Sequence, residues 1–184
     1  MDKGYLLILV SAGISALHAL GVMNFMLGGY LLVAAGLHAL PIAAKELKTA
    51  RTFTFGALAL HLRFFLPQFL LGNLYISSFL SISYLFFSVG IFFWLLKAEY
   101  IWSPHRRKRT DLLVYSGVAL LYLVVYALFI FPWITIHLLP LHMVMQLVEI
   151  HRFINILYHI VLIYILAKLY LEAKRGGPGL RRWA

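Results

Sequence analysis

Histidine is the polar residue that sets this chain apart. Eight are present, and all but His105, which sits in a basic loop, fall in or beside apolar runs: His18, His38, His61, His137, His142, His151 and His159. An imidazole in such a setting can ligate a metal, carry a proton or hydrogen-bond a neighbouring helix. Two imidazoles from separate helices at one depth are what bis-histidine ligation of a b-type haem requires, with cationic or hydrogen-bonding groups near the propionates. At ~1.5 Å of rise per residue, His18, His142 and His151 fall at an outer level, and His38, His61 and His159 toward the cytoplasmic half. The spacing therefore predicts an outer site from His18 with His151 or His142, and an inner one from His61 with His159 or His38. Arg63 and Arg152 are placed to meet propionates or a quinone carbonyl, and Pro67 frees the carbonyl of Arg63 from its helical bond. Candidate metal ligands are His18, His61, His151 and His159. The structural alternative is that these histidines bond neighbouring helices, that His137 and His142 face water, and that Glu149 and Arg152 neutralise each other at i,i+3.

Other chemistries are poorly supplied. Asp2, Glu46, Glu99, Asp111 and Glu172 fall at helix ends or in loops, which leaves Glu149 alone at membrane depth. That scarcity opposes Mg²⁺ held by paired acids, intramembrane aspartyl chemistry and a carboxylate proton relay. The chain has no cysteine, which removes disulfide exchange, c-type haem attachment, iron–sulfur clusters and thiolate metal sites. No serine-hydrolase elbow, Walker loop or His-Glu-x-x-His is visible.

The elements that must carry these residues are set by composition. Of the 184 residues 63% are hydrophobic and 12% charged, against ~45–50% and ~25% in soluble domains. This chain belongs in a bilayer, where a spanning helix needs ~20 apolar residues. Six runs qualify: Tyr5–Gly21, Met26–Ala44, Phe53–Gly72, Ile76–Leu96, Leu112–Phe131 after the cap Thr110-Asp111, and a long one from Pro140 to about Leu171. The net charge of +10 sits in short blocks between these runs, which reads as membrane topology and not as a nucleic-acid face. Lys45, Lys48 and Arg51, then Arg106 to Arg109, then Lys174, Arg175, Arg181 and Arg182 mark one side, and the alternate loops carry no Lys or Arg.

By the positive-inside rule this is an all-α polytopic bundle of six transmembrane helices in three hairpins, with both termini cytoplasmic, in the plasma membrane. The alternative joins Tyr5–Ala44 into one helix ~60 Å long, giving five spans and an N-terminus outside. The short charged start before an apolar run resembles a secretion signal but lacks a small-residue cleavage site. A single bundle is expected over residues 1–175, followed by a basic cytoplasmic tail over 176–184 that suits anionic headgroups.

Helix faces refine the picture. Ser11, Ser15 and His18 share a face flanked by Ala12, Ala16 and Ala19, which suits close helix packing with His18 inside. In the last helix Arg152, Asn155 and His159 form one stripe, and His142, Gln146 and Glu149 an adjacent one. Aromatic residues such as Phe86-Phe87 and Phe92-Phe93-Trp94 read as lipid-facing or packing, and Trp102, Trp133 and Trp183 as interface anchors.

Leu17-His18-Ala19-Leu20-Gly21 followed by Leu27-Gly28-Gly29 resembles the first-helix pattern of a group of bacterial membrane proteins. That group includes the copper-resistance D family and the small haem-containing protoporphyrinogen oxidase. The resemblance implies a helical bundle in which His18 would be a haem or metal ligand. It also favours one continuous helix through Leu17–Gly29, hence five spans. The chain departs from the pattern at Asn24-Phe25, where a tryptophan is usual.

Three functions fit these residues. The first is a membrane subunit that binds b-type haem or a quinone and passes electrons to or from a partner, an oxidoreductase subunit if it is catalytic. The second is a substrate-binding subunit of a vitamin-type importer, with Arg63, Gln68, Glu149 and Arg152 lining a pocket for a small anion. The third is an assembly subunit without a site of its own. All three imply the lipid bilayer and membrane protein subunits as partners, and no nucleic acid.

Overall fold

In hydrocarbon each backbone N–H and C=O must find its partner within the protein, so a chain this apolar folds as helices. A computed structural model describes residues 2–20, 26–40, 44–61, 74–102, 106–130 and 139–175. Among them run six α-helices: α1 (Asp2–Ala19), α2 (Met26–Ala39), α3 (Lys45–His61), α4 (Leu74–Trp102), α5 (Arg106–Ile130) and α6 (Leu141–Lys174). Three are long and apolar enough to cross a bilayer, within Tyr75–Trp102, Arg106–Leu128 and Leu141–Lys174, while Leu27–Ala39 of α2 is apolar but shorter.

Several helices begin earlier than hydropathy alone predicts. The first two turns of α3 are basic and polar, yet helical, with the Thr49 and Thr52 hydroxyls donating to the Lys45 and Lys48 carbonyls at 3.2 and 3.1 Å. Leu47, Ala50, Thr54 and Ala57 repeat at three and four residues and form its buried stripe. Likewise α5 starts at Arg106, so Thr110 lies inside the helix with its hydroxyl donating to Arg106 O. Apolar runs mark where lipid is; packing and propensity carry the helices past that limit.

Each helix packs on the next, and α1 also packs on α6, so the six close into a ring. The α1–α2 contact is antiparallel and close. A Cβ on Gly36 would stand 2.6 Å from Ile8 Cγ1 and 2.7 Å from Gly4 O, while one on Gly29 would meet Ser11 Oγ at 3.5 Å. The early part of α1 therefore lies against the late part of α2. This corrects the single helix through Leu17–Gly29: α1 ends at Ala19 and α2 runs back beside it. Arg51 of α3 then reaches α2, donating from Nε and Nη2 to Leu37 O at 3.2 and 2.8 Å, which satisfies a carbonyl near the end of that helix. Phe53 of α3 packs on Phe87 and Trp94 of α4, and its ring lies where a Cβ on Gly90 would be.

At the basic end two ion pairs join the last three helices. Lys108 donates to Glu99 Oε2 at 2.7 Å, and Lys168 pairs with Asp111. Both pairs are largely buried, and removing one member of such a pair leaves a charge without compensation. The tail expected over 176–184 lies outside the described residues.

The α1–α2 approach has a direct test. Gly36→Ala lowers stability by about 1–3 kcal/mol, because the added methyl meets backbone at a distance no relaxation of a side chain relieves. At Gly13 a Cβ has nothing within 4 Å, so Gly13→Ala is neutral or gains up to ~1 kcal/mol from helix propensity. Thermal unfolding of both variants in one detergent compares them.

Candidate binding cavity at the centre of the ring

Polar side chains that lipid would reject collect where the six helices face one another. They surround a partly open cavity of about 340 Å³, to which every helix contributes: Ser15, His18 and Ala19 from α1, Tyr30 from α2, His61 from α3, Tyr84, Leu85, Ser88 and Phe92 from α4, Tyr122 and Tyr126 from α5, and His151, Asn155, Tyr158, His159 and Leu162 from α6. Helical periodicity explains the choice. On α6 the lining residues step by four, three, one and three, which keeps them on one face, and on α1 Ser15, His18 and Ala19 continue the buried stripe of Tyr5, Ile8, Ser11 and Ala12.

Two aromatic clusters form opposite parts of the wall. On one, Tyr30, His61 and Tyr84 pack as a triad with ring centroids 5.6–6.4 Å apart. On the other, Tyr122 stacks on Tyr158 at 4.8 Å, His151 lies 6.2 Å from Tyr122 and 5.6 Å from Tyr126, and His159 meets Tyr158 edge-on at 5.2 Å.

The hydrogen bonds in the wall have assignable directions. Ser88 Oγ donates its only proton to Tyr84 O at 2.7 Å, so Tyr30 donates to Ser88 Oγ at 2.5 Å. Tyr115 donates to Val89 O at 2.8 Å, so Tyr158, 3.0 Å away, donates to Tyr115. His159 Nδ1 lies 2.8 Å from the Asn155 carbonyl, which can only accept, so Nδ1 carries the proton and Nε2 of the neutral ring is an acceptor. Asn155 Oδ1 is buried without a hydrogen-bond partner among the described residues. Tyr158, His159 and Asn155, all lining residues, thus keep acceptor atoms to spare. No Asp, Glu, Lys or Arg lines it among the described residues.

The structure brings four of the predicted site residues together and separates the others. His18, His61, His151 and His159 line one shared cavity instead of two separate sites. The shift comes from α3: its start at Lys45 carries His61, its last residue, to the far end of the helix. His38 is exposed on α2, with Nδ1 bonded to the carbonyl of Ala34 one turn back at 3.0 Å. His142 is exposed in the first turn of α6. Arg152 is one residue, about 100° of helix, away from His151, and it pairs with Glu149 at 3.1 Å on the outer surface, both side chains 68% exposed. Arg63 and Gln68 lie outside the described residues, as does His137.

Haem b is overturned as the cofactor. Among the described residues no group of three or more His, Cys, Asp or Glu side chains is placed to hold a metal ion. Tyrosines, not further histidines, are the ring neighbours of His61 and His151. The metal assignment to His18, His61, His151 and His159 falls with it; of the two residues placed to meet a quinone carbonyl, Arg152 lies on the outer surface and Arg63 lies outside the described residues.

The tyrosines were absent from the sequence-based site. A signal existed: Tyr115, Tyr122 and Tyr126 of α5 share one face at seven- and four-residue steps, as do His151, Asn155 and Tyr158 of α6. Comparison with protein families, curated proteins and solved structures finds no match to this chain.

Tyr115 is the wall's deepest anchor, 0% exposed and bonded both to Val89 O and to Tyr158. Tyr115→Phe leaves a buried carbonyl and a buried hydroxyl without their partner and costs about 1–3 kcal/mol. Thermal unfolding in detergent measures it, and Tyr164→Phe, at an exposed position, leaves the midpoint in place.

Proposed function

We propose that this protein is a membrane-embedded binding subunit for a small, uncharged, ring-containing molecule that donates hydrogen bonds, the kind of subunit that presents a solute to a transporter. The observation that carries this reading is the central cavity, to which all six helices contribute tyrosine, histidine, serine or asparagine side chains with no formal charge among the described lining residues. Aromatic clusters on opposite walls suit a flat ring, held by stacking and edge contacts. Acceptors at Tyr158, His159 and Asn155 suit N–H or O–H groups on its rim, and the unpartnered Asn155 oxygen is the strongest pointer, because a buried acceptor left unbonded costs free energy that a ligand donor recovers.

The anionic solute expected at Arg63, Gln68, Glu149 and Arg152 gains no support: Glu149 and Arg152 sit on the outer surface, paired to each other. In this reading six helices cross the plasma membrane in three hairpins, with both chain ends on the side of the basic clusters. The ring of contacts supports it, since α1, α2 and α3 occupy the same layer as the three long apolar helices. The likeness of Leu17–Gly29 to the copper-resistance D group enters this reading only through His18, as a wall residue of the cavity.

Mild extraction of the protein from its native membrane, followed by mass spectrometry of the intact particle and of its denatured supernatant, yields one bound uncharged heterocycle or phenol. Asn155→Leu weakens retention ~5–10-fold, the value of one hydrogen bond, while Arg152→Ala leaves it unchanged. Protein that carries no small molecule, or one that carries a carboxylate or phosphate ester, rejects the proposal.

A further inference from the structure

The packing of the bundle is unequal along its axis. Toward the basic helix ends, every helix supplies a side chain that is 0% exposed: Ile8, Leu37, Leu47, Leu95, Tyr115 and Leu166. Below them, at the same end, lie the two buried ion pairs Glu99–Lys108 and Asp111–Lys168. This half is solid. The cavity occupies the other half. Its α1 residues lie in the last turns of that helix, Tyr30 in the second turn of α2, and His61 is the final residue of α3. On α5 the lining begins only after Tyr115, and on α6 it ends at Leu162, before the fully buried Leu166. The cavity is partly open, and the apolar plug and the two ion pairs lie between it and the basic helix ends.

We propose that the central cavity receives its ligand from the membrane face opposite the basic helix ends, and that the basic half of the ring is a closed floor in this conformation. The inference rests on the binding reading above and adds a direction to it: by the positive-inside rule the ligand comes from outside the cytoplasm. Three properties make the floor tight. The small residues Gly4 and Gly36 bring α1 and α2 into backbone contact there; Arg51 ties α3 to the end of α2; and the ion pairs tie α4 to α5 and α5 to α6. Each pair is costly to break one partner at a time.

The chain has no cysteine, so single cysteines report access without background. Ser15→Cys and Ala19→Cys probe the cavity wall, and Ala50→Cys and Ala98→Cys, both 0% exposed in the native protein, probe the floor. His142→Cys and Arg107→Cys, at exposed positions in the first turns of α6 and α5, report the two faces. Each full-length variant is treated with a sulfonated, membrane-impermeant maleimide in right-side-out and in inverted vesicles, then again after denaturation in SDS. The expected result is that Ser15→Cys and Ala19→Cys react only in the vesicles in which His142→Cys reacts, and that Ala50→Cys and Ala98→Cys react only after SDS. Labelling of either cavity position from the side that labels Arg107→Cys, or of neither position until SDS is added, overturns the proposal, as does labelling of both floor positions in intact vesicles. Two cavity positions guard against one misfolded variant. Labelling does not depend on the ligand, so an empty protein labelled from one side defeats only the binding reading, and a loaded protein labelled from the wrong side defeats only the direction.

Discussion

A polar side chain in hydrocarbon has no water to fall back on, so it is stable only where another part of the protein meets it. The ring of helices is the arrangement that supplies such places. Had α1 packed on α2 alone, Ser15 and His18 would have faced lipid. Because α1 also packs against α6, they face a shared interior together with His151, Asn155 and His159. That closure depends in turn on small residues: Gly4 and Gly36 let α1 and α2 approach to backbone contact, and Ala12 is fully buried in the same stripe. With little hydrophobic force between helices in a bilayer, close packing of this kind is what association has to rely on.

The interior is neither an apolar core nor a charged channel. His61, His151 and His159 are matched with tyrosines, ring against ring, and the hydroxyl protons of Tyr30, Ser88 and Tyr158 are committed to a backbone carbonyl or to another hydroxyl. The ionisable pairs are kept apart from the cavity, at the basic ends of α4, α5 and α6, where they fasten helices, or on the outer surface, as with Glu149 and Arg152.

Much of the architecture is legible in the chain. Three of the apolar runs, those of α4, α5 and α6, are helices long enough to span a bilayer, α1 stops at Ala19, just before Gly21, and the inward face of Ser11, Ser15 and His18 is visible from spacing alone. The histidines that matter, His18, His61, His151 and His159, stand out by type. Their grouping was misread for a local reason. Hydropathy starts α3 at Phe53, whereas Lys45 to Thr52 are helical through i,i+4 bonds and a buried Leu47 and Ala50. Eight extra residues of helix, at ~1.5 Å each, move His61 from one half of the bundle to the other. Arg152 was misread for a rotational one, since a residue beside His151 in sequence points a quarter-turn or more away from it.

Composition, charge distribution and helical periodicity are properties of single segments, and they determine what the sequence can state unaided: a helical membrane protein, its basic side, and which face of each helix is polar. Which of those faces meet is decided only when the helices assemble, because it depends on their lateral order, their relative height and the closing contact of α1 on α6. A metal site and an aromatic binding cavity draw on the same histidines. Whether an imidazole finds a second imidazole or a tyrosine across a few ångströms is set by that assembly, and no spacing along one helix encodes it.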